Sequence, residues 1–203
     1  LSRRWDVDTL RLGRNALLPN DIVVLDVRPA PADFHARFHA VARTYRYVVV
    51  PRRDRLAVAR QYAWQVRGPL DLEAMRHAAG LLVGRHDFSG FGRSPRAGGS
   101  TLRTVQRIEV RRTTLIADRQ DRGGAVIIEV VADAFLYGMM RSIAGMLVAV
   151  GTGRLGDRDV HALLRAPHNV PRPVVAPAHG LHQWTVIYPD AGIEAGRQDE
   201  EKA

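Results

Sequence analysis

Residues 133–150 read DAFLYGMMRSIAGMLVAV, and this stretch predicts the main helix of the chain, from Phe135 to Val150. Its apolar side chains fall within an arc of about 120° on a helical wheel. The arc consists of Phe135, Met139, Ile143, Met146, Leu147 and Val150. Arg141 lies opposite the arc, between Gly138 and Gly145. Because glycine has no Cβ, this stripe predicts that another backbone or a carboxylate comes close to Arg141. The alternative is a solvated arginine on an outer helix face.

Strands are predicted on both sides of this helix along the chain. Residues 44–50 are rich in tyrosine and valine, which predicts a strand. Residues 104–111 and 125–131 are two β-rich runs separated by a polar turn at 118–124, which predicts a hairpin. Further predicted elements are strands at 21–27 and 183–188 and helices at 71–83 and 157–164. This order of elements indicates an α/β (α+β) fold.

The composition is that of a globular domain. The chain has 203 residues, of which 46% are hydrophobic and 25% are charged, and this excludes disorder as the main state. Cysteine is absent, which excludes disulfides, thiolate catalysis and cysteine-ligated zinc. The longest apolar run, residues 143–150, is far shorter than the ~20 residues that span a bilayer.

The charge is strongly positive. The net charge is +9, and Lys202 is the only lysine among the basic residues. A GC-rich genome accounts for arginine in place of lysine. It does not account for the positive excess, which favours a surface that binds a polyanion, since the guanidinium group matches phosphate geometry.

Two segments interleave arginine with aromatic residues. They are DFHARF at 33–38 and RTYRY at 43–47, and they combine base-stacking rings with phosphate-binding groups. The alternative is a strand whose tyrosines pack on the core, and we expect this of at least one of Tyr45 and Tyr47. A third segment, residues 90–100, predicts a long, flexible, basic loop, and its length favours contact with nucleic acid over the alternative of a plain surface connection.

Several enzyme motifs are missing from the sequence. The chain contains no P-loop, no glycine-rich dinucleotide fingerprint, no HExxH and no GxSxG. His35 and His39 have the spacing of one helix face but no third ligand nearby, which favours half-buried or RNA-facing histidines over a metal site. The same holds for His179 and His182. Asp87, in the sequence HDFS, either belongs to a site or caps a turn.

Together these segments make the chain resemble the tRNA pseudouridine synthase A family. The similarity runs from about Asn15 to Tyr188, and the motifs occur in the family's order and spacing. They are NALLPNDI at 15–22, DFHARF at 33–38, RTYRY at 43–47, HDFS at 86–89, and AF at 134–135 followed by MMR at 139–141 and Gly145. Each motif is weak alone, and the five in order are specific.

The resemblance implies the pseudouridine synthase fold, a mixed and largely antiparallel sheet with helices packed on one face. It implies an isomerase that converts uridine to pseudouridine in the anticodon stem-loop of tRNA, after the base has been flipped out of the stack. Family members use no metal and no organic cofactor, and they are typically homodimers whose two subunits share one tRNA. We therefore expect a cytoplasmic enzyme with tRNA as its partner and without a membrane, a metal or a small-molecule cofactor.

The resemblance also assigns residues. Tyr45 matches the family tyrosine that packs against the target uracil, and its hydroxyl is suited to help remove the proton from carbon 5. Arg141 matches the arginine that pairs with the catalytic aspartate. The expected RNA-binding residues are Arg43, Arg46, Arg93, Arg96 and Arg103.

The family's aspartate lies in an Arg-Thr-Asp-x-Gly-Val-His motif, which residues 1–203 do not contain. Asp6 and Asp8 do not fit, because Arg-Thr precedes neither of them. We expect the motif before Leu1, and we therefore expect this fragment alone to be inactive. The chain also departs from the family's usual asparagine, histidine and asparagine at Asp133, Tyr137 and Ser142.

This interpretation divides the chain into three parts. Residues 1–34 would end the N-terminal half of the catalytic fold, residues 35–188 would form its C-terminal half, and residues 189–203 would be a disordered tail. The alternative function is a truncated module that binds tRNA without modifying it. A third hypothesis is a basic structural protein with no preference for tRNA over other polyanions.

Overall fold

The structure is a computed structural model that describes residues 6–114, 124–165 and 171–189. The chain divides into two compact units, residues 1–40 with 188–203 and residues 41–187. Most of the predicted turn at 118–124 and all but Pro189 of the predicted tail lie outside the described residues.

The smaller unit contains helix α1 (Val7–Asn15). Asp6 caps it by accepting a hydrogen bond from the backbone N–H of Thr9 at 3.1 Å. None of its residues is buried, and the sequence does not predict this helix.

The predicted strand at 21–27 is wrong. The side chain of Asn15 donates to the carbonyl of Val24 at 2.9 Å and accepts from its N–H at 2.7 Å. Both backbone groups that a neighbouring strand would use are therefore satisfied by one amide side chain.

The larger unit is built on a six-stranded sheet. Its strands are β1 (Ala42–Pro51), β2 (Trp64–Val66), β3 (Gly84–Asp87), β4 (Leu102–Thr113), β5 (Ala125–Ala132) and β6 (Leu181–Ile187). The order is β2-β1-β5-β4-β3, and β6 also pairs with β1. Only the β1–β2 pair is parallel among these pairings, which confirms the predicted mixed, largely antiparallel sheet.

The predicted hairpin is confirmed by β4 and β5, which pair antiparallel with Val110 opposite Ile128. β1 and β6 confirm the strands predicted at 44–50 and 183–188, with shifted ends. The sequence analysis misses β2 and β3, because three or four residues are too few to display an alternating pattern.

Three helices cover one face of the sheet: α2 (Leu72–Gly80), α3 (Met139–Gly151) and α4 (Asp157–Arg165). Their buried side chains form one core cluster with Val126, Ile128 and Val130 of β5. Asp71 caps α2 as predicted, since its Oδ1 accepts from two backbone N–H groups at 3.0 Å. The expectation of helices on one face is therefore confirmed.

The main helix begins later than predicted, at Met139 rather than Phe135. Gly138 has φ +82° and precedes the helix in a left-handed conformation. Tyr137 exchanges backbone hydrogen bonds with Arg93 instead of entering the helix. This pairing between distant segments is invisible to a helical wheel.

Candidate active site

Tyr45 lies on β1 on the side of the sheet that carries the helices. Its ring is half-buried and packs edge-on against Phe135, with 4.7 Å between the ring centroids. Its hydroxyl donates to Oε1 of Gln183 on β6 at 3.3 Å, and Gln183 is exposed. The ring is thus fixed from two sides while its hydroxyl stays close to solvent.

Tyr47, two residues along the same strand, is fully buried. Its hydroxyl donates to the carbonyl of Pro177 at 2.6 Å, and its ring packs so closely on Gly180 that a Cβ there would lie 2.7 Å from Cζ. Burial raises the pKa of the Tyr47 hydroxyl well above its usual range, and the positive charge of Arg141 only partly offsets this. Tyr47 is the core tyrosine that the sequence analysis expects of this pair.

Arg141 lies in the first turn of α3 and holds the segment that precedes β6. Its Nε donates to the carbonyl of Ala176 at 2.6 Å, and its own carbonyl accepts from the Ala176 N–H at 3.1 Å. A Cβ at Gly145 would overlap the carbonyl oxygen of Val174. The predicted close approach of another backbone is therefore confirmed at Gly145, whereas Gly138 has open space around it.

The guanidinium group of Arg141 uses only part of its hydrogen-bonding capacity. Within the ranges that the structure describes, no carboxylate lies within 4.0 Å of it, and its hydrogen bond to Ala176 uses Nε alone. The positive charge of Arg141 acts on Tyr47, where it lowers the pKa of the hydroxyl. Tyr45 lies on the same strand as Tyr47 and faces the same side of the sheet. Tyr45 and Arg141 therefore lie on one side of the sheet, near the start of α3.

Residues 78–189 match the family model described as tRNA pseudouridine synthase. Relatives named tRNA pseudouridine synthase A have similar sequences. That of Methylococcus capsulatus is 41% identical over 190 residues, covering 93% of this chain and 66% of the relative. That of Methylobacterium nodulans is 38% identical, covering 96% and 74%. That of Thermoanaerobacter sp. (strain X514) is 34% identical, covering 86% and 68%.

The chain belongs to the tRNA pseudouridine synthase A family. The predicted isomerase class is thereby confirmed at the level of the family. The helices in the described ranges are all too short or too polar to cross a membrane.

In this member of the tRNA pseudouridine synthase A family, Arg46 lies on the opposite face of the sheet from Tyr45. Its Nε pairs with Oε2 of Glu129 at 2.6 Å, and its guanidinium stacks 3.7 Å from the ring centre of Trp184. Glu129 is buried and is also bound by Arg107. Much of the charge of Arg46 is therefore used within the protein.

Arg43 donates to the backbone carbonyl of Asp133 at 2.8 Å. The carboxylate of Asp133 accepts from the N–H groups of Thr104 and Ala134. The negative charge that this residue adds relative to the family's usual asparagine is thus stabilised by two backbone donors.

Backbone hydrogen bonds hold the segment 90–100 in place. The N–H of Gly99 donates to the carbonyl of Arg96, and Arg93 is bridged to Tyr137. Arg103, at the start of β4, donates to the carbonyls of Ser100 and Leu102, and its Nε is buried without a partner in the structure. None of the three arginines has a carboxylate partner among the described residues.

The remaining candidates have local roles. Asp87 accepts from the N–H of Ser89 at 2.9 Å, which confirms the turn cap. In the smaller unit, Nδ1 of His39 accepts from the N–H of His35 at 3.3 Å. In the larger unit, His182 bonds to the carbonyl of Tyr62. No group of three potential metal ligands occurs within the described ranges.

The sequence analysis does not assign a role to Gln183, Trp184 or Glu129. Gln183 bonds to Tyr45 only because β6 pairs with β1, and Arg46 meets Glu129 only because β5 pairs with β1. Both strand pairings join segments that are far apart in sequence. A period-2 pattern identifies each strand without identifying its neighbour.

Proposed function

We propose that this protein isomerises uridine to pseudouridine in the anticodon stem-loop of tRNA, with Tyr45 and Arg141 in its active site. The observation that supports this most is the pair itself. A fixed, half-buried aromatic ring and an arginine without a carboxylate partner among the described residues lie on the same side of one sheet. Both occupy the positions that the family motifs assign to them.

Tyr45 would receive the flipped uracil. A flat ring suits stacking on a base that has left the helix, and Phe135 supports that ring through a T-shaped contact. The hydroxyl, which donates to Gln183, would help remove the proton from carbon 5 after the base has been reattached.

Arg141 would hold the catalytic aspartate. Charge-assisted hydrogen bonds to a guanidinium favour the ionised carboxylate and fix its direction. The contact with Ala176 supports this role, because it anchors the arginine through Nε and leaves the Nη groups for a carboxylate. The aspartate would then attack carbon 1′ of the ribose as the glycosidic bond to nitrogen 1 breaks. Carbon 5 of the turned uracil would displace the aspartate from carbon 1′, and loss of the proton from carbon 5 with uptake of a proton at nitrogen 1 would complete the isomerisation.

The basic residues would bind the phosphates of the tRNA. Arg93, Arg96, Arg103 and Arg43 are the candidates, and the net charge of +9 favours any polyanion. Arg46 remains a candidate, although its pairing with Glu129 reduces the charge that it offers. We further propose that the enzyme is cytoplasmic and that it is a homodimer. Light scattering with and without tRNA tests the homodimer directly.

Tritium release from tRNA labelled at carbon 5 of uridine tests the proposed site. Using the full gene product, we expect Arg141→Ala to lose at least about a hundredfold in kcat. The catalytic aspartate would lose the cation that favours its ionised form and fixes its direction. Arg158→Ala, in an exposed arginine of α4, is the matched control and should be unchanged.

The outcome separates the candidate functions. Equal release by Arg141→Ala and the unaltered protein would remove Arg141 from the active site. Salt-dependent binding of tRNA with no release by the unaltered protein would favour the non-catalytic tRNA-binding module instead.

A further inference from the structure

We propose that Tyr137 and Arg93 form a stacking site for an unpaired nucleotide of the RNA substrate, separate from the site of the target uridine. The proposal rests on the proposed function only in taking RNA as the ligand.

Tyr137 is exposed in a way that its surroundings do not explain. Its side chain is 68% exposed, although Leu136 and Met139 on either side of it are buried. Its hydroxyl makes no hydrogen bond within the described residues. A tyrosine that serves only the fold normally buries its ring or bonds its hydroxyl, and Tyr137 does neither.

The backbone beneath the ring is nevertheless held firmly. The N–H of Tyr137 donates to the carbonyl of Arg93 at 3.0 Å, and its carbonyl accepts from the Arg93 N–H at 3.3 Å. Gly92 allows this contact, because a Cβ there would lie 2.8 Å from both the Tyr137 carbonyl oxygen and the Leu136 Cβ. Phe91, next along the loop, is buried in the core. An exposed ring on a fixed backbone is already organised for stacking.

Arg93 completes the site. Its guanidinium lies 4.7 Å from the centre of the Tyr137 ring, as in a cation–π contact. Within the described residues no carboxylate lies within 4.0 Å of that guanidinium, so its charge is not neutralised there. A ring beside an uncompensated guanidinium matches a nucleobase and its phosphate, since the base stacks and the phosphate pairs with the cation.

The location favours RNA over a protein partner. The ring lies between the arginine-bearing segment 90–100 and the start of α3, which carries Arg141. The nearest acidic side chain along the chain, Asp133, is occupied by two backbone donors. Single-stranded nucleotides beside the flipped uridine are the ligands whose bases are free to stack here.

Binding of an unmodified tRNA transcript by the full gene product tests the proposal. The variants are Tyr137→Ala, Tyr137→Phe and Arg93→Ala, and the matched control is Tyr62→Ala. Tyr62 is a comparably exposed tyrosine at 63% whose side chain makes no hydrogen bond or ring contact within the described residues. Dissociation constants are measured at several salt concentrations.

We expect Tyr137→Ala to weaken binding about tenfold at every salt concentration and to leave the salt dependence unchanged, because it removes stacking and no charge. Tyr137→Phe should bind like the unaltered protein. Arg93→Ala should both weaken binding and lower the slope against log salt by about one phosphate contact. Equal affinities of Tyr137→Ala and Tyr62→Ala for tRNA would overturn the proposal, even if Tyr137 proved to bind a protein.

A second measurement does not depend on how the variants fold. Photocrosslinking of tRNA that contains 4-thiouridine to the unaltered protein should attach a nucleotide to the peptide carrying Tyr137, and a crosslinked complex in which that peptide is unmodified would overturn the proposal. Tritium release keeps the two proposals distinguishable. If Tyr137→Ala weakens binding but the unaltered protein releases no tritium, the stacking site stands and the catalytic function falls.

Discussion

Two tyrosines of one strand have opposite environments. Tyr45 and Tyr47 face the same side of β1, yet Tyr47 is fully buried with its hydroxyl bonded to Pro177, and Tyr45 is half-buried with its hydroxyl near solvent. The difference arises from what lies above each ring. Gly180 and Pro177 close over Tyr47, whereas Tyr45 packs against Phe135 in a T-shaped pair and remains partly exposed. Burial thus separates a structural residue from a candidate catalytic one.

The first prediction concerns Tyr47 and pH. Its pKa in the folded protein is raised, so the folded state keeps the proton after the unfolded chain has lost it. The stabilisation is fully present below about pH 10 and is lost as the pH rises further, with a limiting slope of about 1.4 kcal/mol per pH unit. Urea unfolding at several alkaline pH values measures this slope.

Tyr47→Phe should flatten that slope and cost about 1 kcal/mol at neutral pH, because the carbonyl of Pro177 loses its donor. Tyr62→Phe, in an exposed tyrosine, should keep the slope of the unaltered protein. A Tyr47→Phe variant that keeps the full slope would show that another group titrates.

The second prediction concerns Tyr45. Tyr45→Phe keeps the ring against Phe135 and removes the hydroxyl that Gln183 orients. We expect kcat to fall about a hundredfold while the KM for tRNA changes little, since stacking is retained and proton transfer is lost. Steady-state tritium release measures both constants, and a rise in KM at unchanged kcat would contradict the assigned role.

At the scale of the element, α3 and the segment before β6 form one unit. Gly145 lets the carbonyl of Val174 touch the helix, and Arg141 then binds Ala176 from one turn earlier. The glycine and the arginine therefore act together, because the glycine sets the distance at which the arginine finds its carbonyl. Any shift of this segment moves Arg141.

The third prediction follows from that contact. Gly145→Ala should destabilise the protein by about 1–3 kcal/mol and reduce tritium release, because its Cβ displaces the backbone of Val174. Gly80→Ala is the matched control: this α2 glycine has open space around it, and alanine there should stabilise by about 0.5–1 kcal/mol. Urea unfolding of both variants measures the difference, and equal stabilities would refute the close approach.

The fourth prediction concerns the charged group on the opposite face. Glu129 is buried between Arg46 and Arg107, so Glu129→Ala leaves Arg46 buried without its partner and should cost about 3 kcal/mol. Glu109→Ala breaks an exposed pair with the same Arg107 and should cost less than about 1 kcal/mol. Similar losses for the two variants in chemical denaturation would show that Glu129 contributes no more than a surface charge.

Elements with long, regular hydrophobic patterns can be predicted from the sequence, whereas the elements that pair with them cannot. β1, the β4–β5 hairpin, α2 and α4 are predicted because burial imposes a period of two or of about 3.6 on their residues. The prediction of a strand at 21–27 is wrong, and there the side chain of Asn15 bonds to both the N–H and the carbonyl of Val24. The candidate site can be predicted from the sequence only in part. Gln183 and Tyr137 meet their partners through contacts between segments that are distant in sequence.

At the scale of the whole molecule, the charge and the family indicate the same ligand. The chain carries a net charge of +9, and it belongs to a family whose named relatives are tRNA pseudouridine synthases. A GC-rich genome would explain arginine in place of lysine but not the excess of positive charge. A tRNA substrate explains the excess, because neutralising phosphates releases counterions and favours binding.

Mapping pseudouridine in a tRNA transcript tests the central claim most directly. Pseudouridine forms a stable carbodiimide adduct that stops reverse transcription, so each modified position appears as a stop. After incubation with the full gene product we predict stops confined to the anticodon stem-loop, and none with Arg141→Ala. The account would be contradicted by no stops with the unaltered protein, by stops elsewhere in the tRNA, or by the same stops with Arg141→Ala.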